Sequence, residues 1–222
     1  TYTVRHATVG TVTLVQGGGG NNLLIAEGST VGGTDRPVLL FGSTSQDDAY
    51  YTALPGQRVA GQALHFGAAG NNVLDARTTT QGVILYGGAG NDLIGLVDSD
   101  LTGTLTIAAG DGDNVVLLDT VTVGGDTQIT AGIGKDEIAL VDTALTGALT
   151  VDAGNGDNTV LLDTVTVGGS SAITTGTGDD QITLLDSGLI GSLTVDAGDG
   201  DNVILLDTVT IGGATDIATG AG

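Results

Sequence analysis

The apolar positions of this chain fall into files that repeat along its length. From Gly88 onward the sequence superimposes on itself at a spacing of 22 residues without a gap. Ile94, Val116, Ile138, Val160, Ile182 and Ile204 form one file. Two residues further on, Leu96, Leu118, Leu140, Leu162, Leu184 and Leu206 form another. Files from Leu101 to Ile211 and from Ile107 to Ile217 keep the same spacing. Inward positions two apart are the strand period, and the β-branched content favours strands over helices.

Glycine files punctuate these strands. One runs from Gly88 to Gly220, a second from Gly90 to Gly222 and a third from Gly103 to Gly213. Glycine permits positive φ and close approach of neighbouring backbones, so each repeat meets the same corner requirement. Three short strands fit between the corners, leaving too few residues for a helix. The predicted fold is therefore all-β: a right-handed parallel β-helix, or β-solenoid, of 22-residue turns. About ten such turns make a rod roughly 48 Å long at about 4.8 Å per turn.

A period of 44 overlies the 22. Leu105, Leu149 and Leu193 alternate with Thr127, Ser171 and Thr215, while Ser99, Thr143 and Ser187 alternate with Val121, Val165 and Val209. A large side chain at one point of the wall is exchanged for a large one at another, as a close-packed narrow core requires.

The pattern divides the chain into a solenoid turn over 1–27, an irregular turn or inserted loop over 28–66, and regular repeats over 67–222. The middle stretch holds Pro37, Pro55, Tyr50, Tyr51, Asp47, Asp48 and Arg58. Its best alternative to a solvated loop is a carbohydrate-contacting surface. The two ends stop at nearly the same phase of the repeat: with Gly18 aligned on Gly154, Tyr2 falls opposite Ile138, Val4 opposite Leu140 and Val15 opposite Val151. Uncapped solenoid turns offer unpaired backbone groups, so head-to-tail stacking is expected.

Composition narrows the function classes. The 26 acidic and 5 basic residues give a net charge of −21. Such a surface repels nucleic acid and anionic membranes and attracts cations. No apolar run is long enough to span a bilayer, so no membrane insertion is expected. The absence of cysteine excludes thiolate metal sites and disulfides. No nucleophile motif or phosphate loop is present, His6 and His65 have no partner at motif spacing, and only Lys135 among the basic residues lies in the gapless repeats from Gly88 onward. The expectation is that the chain is not an enzyme.

The glycine corners carry the remaining chemistry. Gly87-Gly88-Ala89-Gly90-Asn91-Asp92-Leu93-Ile94-Gly95 resembles the G-G-x-G-x-D-x-U-x nonapeptide of RTX (repeat-in-toxin) β-rolls and RTX adhesins. Partial copies stand at 131–138 and 175–182. The resemblance implies calcium ions held between turns by corner carbonyls and the file Asp92, Asn114, Asp136, Asn158, Asp180 and Asn202. It also implies an extracellular or cell-surface, secreted setting. This chain departs from the family: the motif comes once per 22 residues rather than twice per 18, aspartate alternates with asparagine, and Lys135 interrupts the neighbouring acidic file. The competing reading is a metal-free ladder of stacked Asx side chains. The functional expectation is an extracellular structural subunit that stacks on itself into a fibre or matrix and is stabilised by calcium. The alternative is an adhesin stalk with carbohydrate contact through 28–66.

Overall fold

The computed structural model describes residues 20–24, 70–75 and 82–222 in full, and the backbone of 2–5, 8–9, 14–16, 25–27, 30–31, 38–41 and 76–77. Over these residues the chain is a parallel β-solenoid. One sheet follows a path of nine parallel strands: Tyr2–Arg5, Leu23–Glu27, Val73–Arg77, Leu93–Leu101, Val115–Val123, Glu137–Val141, Thr159–Asp163, Gln181–Leu185 and Val203–Asp207. A second sheet of nine strands runs from Leu14–Gln16 to Thr215–Ala218. About six consecutive turns, from Leu93 onward, are continuously described.

The pairing places residues 22 apart side by side: Leu118 pairs with Leu96 and Leu140, Leu162 with Leu140 and Leu184, and Leu184 with Leu206. The first five of these leucines are fully buried in one file. In-register stacking lets identical side chains share one rotamer and interdigitate along the axis, which a narrow core needs for close packing. Earlier in the chain the offset varies. Tyr2 pairs with Leu24, Leu23 with Val73 and Val73 with Leu93. The strand phase predicted for the N-terminal segment holds, because Val15 pairs with Leu40 in the sheet that leads on to Val151.

Three strands make up a representative turn: Glu137–Val141, Ala144–Leu145 and Leu149–Asp152. The glycine corner is sterically obligatory. Gly112 has φ +123°, and a Cβ there would overlap the carbonyl of Gly90 in the preceding turn.

The bend between the first two strands is made without glycine. Asp98, Thr120, Asp142, Thr164, Asp186 and Thr208 all have φ between 45° and 59°. Aspartate tolerates this left-handed region, whereas a β-branched threonine is an outlier there. The two residue types close the bend differently. After an aspartate bend, the next side chain reaches back: the hydroxyls of Ser99, Thr143 and Ser187 donate to the carbonyls of Val97, Val141 and Leu185 at 3.0, 2.8 and 2.6 Å. At a threonine bend, Thr120, Thr164 and Thr208 donate to the preceding carboxylates of Asp119, Asp163 and Asp207 at 3.0, 3.1 and 3.1 Å. The 44-residue period is thus an alternation of two bend chemistries as well as of core volumes. Both exchanging core positions are buried in successive turns, Ser99 with Leu105 and Val121 with Thr127.

Candidate functional site: the Asx corner

The corner between the second sheet and the next turn gathers all six residues expected from the nonapeptide. Asp92, Asn114, Asp136, Asn158 and Asp180 are at most 2% exposed and stand in one file, which Asn202 ends and Asn22 and Asn72 extend backward. Each backbone N–H donates to the side-chain oxygen of the next turn: Asp92 to Asn114 Oδ1 at 2.9 Å, Asn114 to Asp136 Oδ1 at 2.9 Å, Asp136 to Asn158 Oδ1 at 3.0 Å and Asn158 to Asp180 Oδ1 at 2.8 Å. Asp180 continues the file to Asn202 Oδ1 at 2.9 Å. A buried N–H without a partner costs on the order of 1–3 kcal/mol, so the file satisfies a buried donor in each turn that the glycine corner leaves outside the sheets.

The asparagines use their second atom as well. Asn114 Nδ2 donates to the carbonyls of Gly110 and Gly112, both at 2.9 Å, and to Asp136 Oδ1 at 2.9 Å. Asn158 Nδ2 donates to Gly154 and Gly156 at 3.2 and 2.9 Å. An aspartate in the same place has an oxygen where asparagine has an NH2. The Oδ2 atoms of Asp92, Asp136 and Asp180 are buried with no hydrogen-bond partner.

This burial disfavours the charged form. Desolvation pushes the Asp92 carboxyl up to about 6 from its ordinary 3.8, against the opposing pull of the Asn72 backbone N–H and side-chain amide. Desolvation also raises Asp136, helped by the carboxylates of Asp113 and Asp111 and opposed by the two donors of Asn114. A carboxyl whose pKa rises on folding takes up a proton as the chain folds. Its unfavourable ionised form therefore appears as the pH climbs from about 4 through about 6, and stability falls over that window. Thermal melts should accordingly give a higher midpoint at pH 5 than at pH 7.5. A midpoint that rises over this interval contradicts the buried file.

Two exposed files flank the buried one. In the first, each side chain accepts from the following turn: Asn91 N–H donates to Asn71, Asp113 to Asn91, Lys135 to Asp113 and Asp179 to Asp157. Lys135 has no side-chain acceptor, so it receives this link and cannot pass it on. In the second, Asp111, Asn155 and Asp199 accept from Ile133, Thr177 and Ala221 at 3.2, 3.0 and 2.8 Å. That every second residue of this file is an acceptor was not read from the sequence, although the alternation Asp111, Ile133, Asn155, Thr177, Asp199 signals it.

The corner was tested for calcium on its own geometry. Calcium takes six to eight oxygens. Here the Oδ1 atoms accept N–H groups, and the amides of Asn114, Asn158 and Asn202 occupy carbonyls of their own glycine corners. The buried side-chain oxygens left over at the corner are the three aspartate Oδ2 atoms, each in a different turn and separated by a turn that carries asparagine. Among the described residues no three acidic or histidine side chains converge on one point. As arranged, the file is a hydrogen-bonded spine in which each buried aspartate keeps one carboxylate oxygen without a hydrogen bond. The carbohydrate surface expected at 28–66, with Asp47, Asp48, Tyr50, Tyr51 and Arg58, lies outside the fully described residues.

No protein-family model matches the chain, and neither a curated protein nor a solved structure matches it.

Proposed function

We propose that the chain is an extracellular structural rod segment, a right-handed solenoid of about ten turns that extends end-on by adding further turns of the same kind. The observation that supports this reading is the translational identity of its turns. Val203 pairs onto Gln181 as Gln181 pairs onto Thr159, and the Asx file passes the same N–H link at each step. The upper edge of any turn is therefore complementary to the lower edge of another. An open parallel edge with an apolar cross-section is a pairing template. The resemblance to RTX repeats supports the extracellular setting.

Calcium enters this reading at the Oδ2 atoms of Asp92, Asp136 and Asp180, where a cation and a proton compete for the same oxygens. Melting with added calcium and then with chelator distinguishes them, since only a cation shifts the midpoint reversibly. The assembly itself is tested by electron microscopy of the concentrated protein. Filaments of uniform width and many times the single-rod length are expected. Isolated rods roughly 50 Å long at every concentration would overturn the proposal.

A further inference from the structure

Among the described residues the first sheet turns one face to the core and leaves the other uncovered, although parallel sheets are ordinarily covered on both. The middle file of that outer face reads Gly95, Leu117, Ala139, Leu161, Thr183 and Leu205. From Gly95 on it carries no charge, Asp75 being the acid that precedes Gly95 in register, and large and small residues alternate turn by turn. Leucine knobs therefore stand every second turn, about 9.6 Å apart, with a hollow midway between them. One hollow lies over Gly95, where a Cβ would meet nothing within 4 Å, in a groove lined by Val73, Asp75, Leu93, Val97 and Leu117. At the other end of the file, Leu205 is 48% exposed.

We propose that this face is a self-complementary interface that pairs two copies of the chain side by side and antiparallel. A two-fold axis along the strand direction that overlays the six turns in reverse sets Leu117 against Thr183, Leu161 against Ala139 and Leu205 against Gly95, so every knob meets a hollow. The same operation sets Asp119 against Leu185, Asp163 against Val141 and Asp207 against Val97, and no carboxylate faces another. Glu137 meets Thr159, and Leu93 meets Val203. The other closed arrangement, with the axis along the rod, places each leucine on its own copy. An uncharged centre with acids confined to the flanking files is the anatomy of a specific interface.

The occupant is a second copy because the matching is internal to one face. Its size agrees: six strands of about five residues cover roughly 29 by 16 Å, so the pair buries about 950 Å² in total, near the lower bound for a specific contact. A concentration-dependent dimer is expected. This goes beyond end-on growth and is read separately from it, because side-by-side pairing over six turns of two ten-turn rods raises the mass per unit length about 1.4-fold while end-on growth leaves it unchanged.

Small-angle scattering of the full chain, with Ala139→Leu, Leu161→Ala and the double variant, tests the pairing. The wild type should show about 1.4 times the single-rod mass per length. Each single variant should weaken pairing at least tenfold, Ala139→Leu by setting leucine on leucine and Leu161→Ala by emptying two contacts. The double variant, which exchanges knob and hollow, should restore it. Unchanged melting midpoints verify that the solenoid is intact, since both side chains lie on the outer face. A wild type with single-rod mass per length even at about 1 mM, or a double variant no better than the weaker single, overturns the proposal.

Discussion

Replacing Asp92, Asp136 and Asp180 together by asparagine is expected to raise the melting midpoint at pH 7.5 by about 6 °C or more. Each aspartate already uses Oδ1 as its asparagine neighbours do, accepting the N–H of the preceding turn. The substitution therefore keeps that bond. What changes is the second atom: an unpartnered buried oxygen becomes an NH2 that reaches the two glycine carbonyls of its own corner, as Asn114 reaches Gly110 and Gly112. Relieving an unsatisfied buried group is worth about 1–3 kcal/mol per site, and in a chain of this size 1 kcal/mol moves the midpoint by about 2–4 °C. The three sites are two turns apart, about 9.6 Å, so their effects should nearly add. At pH 5 the gain should shrink, because Asp92 with its pKa of about 6 is then largely protonated and the penalty on its charged form is small, and the upward shift of Asp136 acts in the same direction. Differential scanning calorimetry at both values checks this. A lower midpoint for the triple variant, together with loss of a calcium response seen in the wild type, would instead place a cation on these oxygens.

The second large effect is expected at Leu140→Ala, with a loss of about 2–5 kcal/mol in urea unfolding. Leu140 is fully buried between Leu118 and Leu162, and the hydrogen-bonded turns above and below cannot collapse into the space without breaking their register. Leu206→Ala deletes the same atoms from a partly covered position and should cost clearly less. Equal losses at the two positions would mean that the leucine file is not a closed core.

Much of this structure was legible because the repeat is nearly exact. The Ile94 and Leu96 files, the three strands per turn and the glycine corners follow from side-chain period and spacing alone, and the pairing register carries them through. The Asx file was legible as a set of residues, but its chemistry was not. Whether an alternating Asp/Asn file holds metal or hydrogen bonds depends on which way each amide turns, and a sequence does not carry that. The bend at Asp98 and Thr120 was missed because the expected signal for positive φ is glycine, and here tethers from Ser99 and Asp119 hold non-glycine residues in the left-handed region. The knobs and hollows of Leu117, Ala139, Leu161 and Thr183 were overlooked for a related reason. They share the 44-residue period of the core but point away from it, so core packing does not account for them. Before Gly88 the offsets between paired strands vary, as between Leu23 and Val73, so a search at fixed spacing loses the fold there.

The solenoid requires residues 22 apart to lie directly over one another, and the absence of cysteine allows that to be tested by cross-linking. Gln128 and Thr150 are paired neighbours on the outer face of the second sheet, whereas Asp152 lies two residues further along the same strand as Thr150. Paired strands bring such Cα atoms to about 4.8 Å, inside the disulfide range, while the diagonal pair is near 7–8 Å. Under mild oxidation Gln128→Cys/Thr150→Cys should close an intramolecular disulfide completely, and Gln128→Cys/Asp152→Cys should remain reduced. Comparable closure of both pairs, or closure of the second alone, would contradict the stacking.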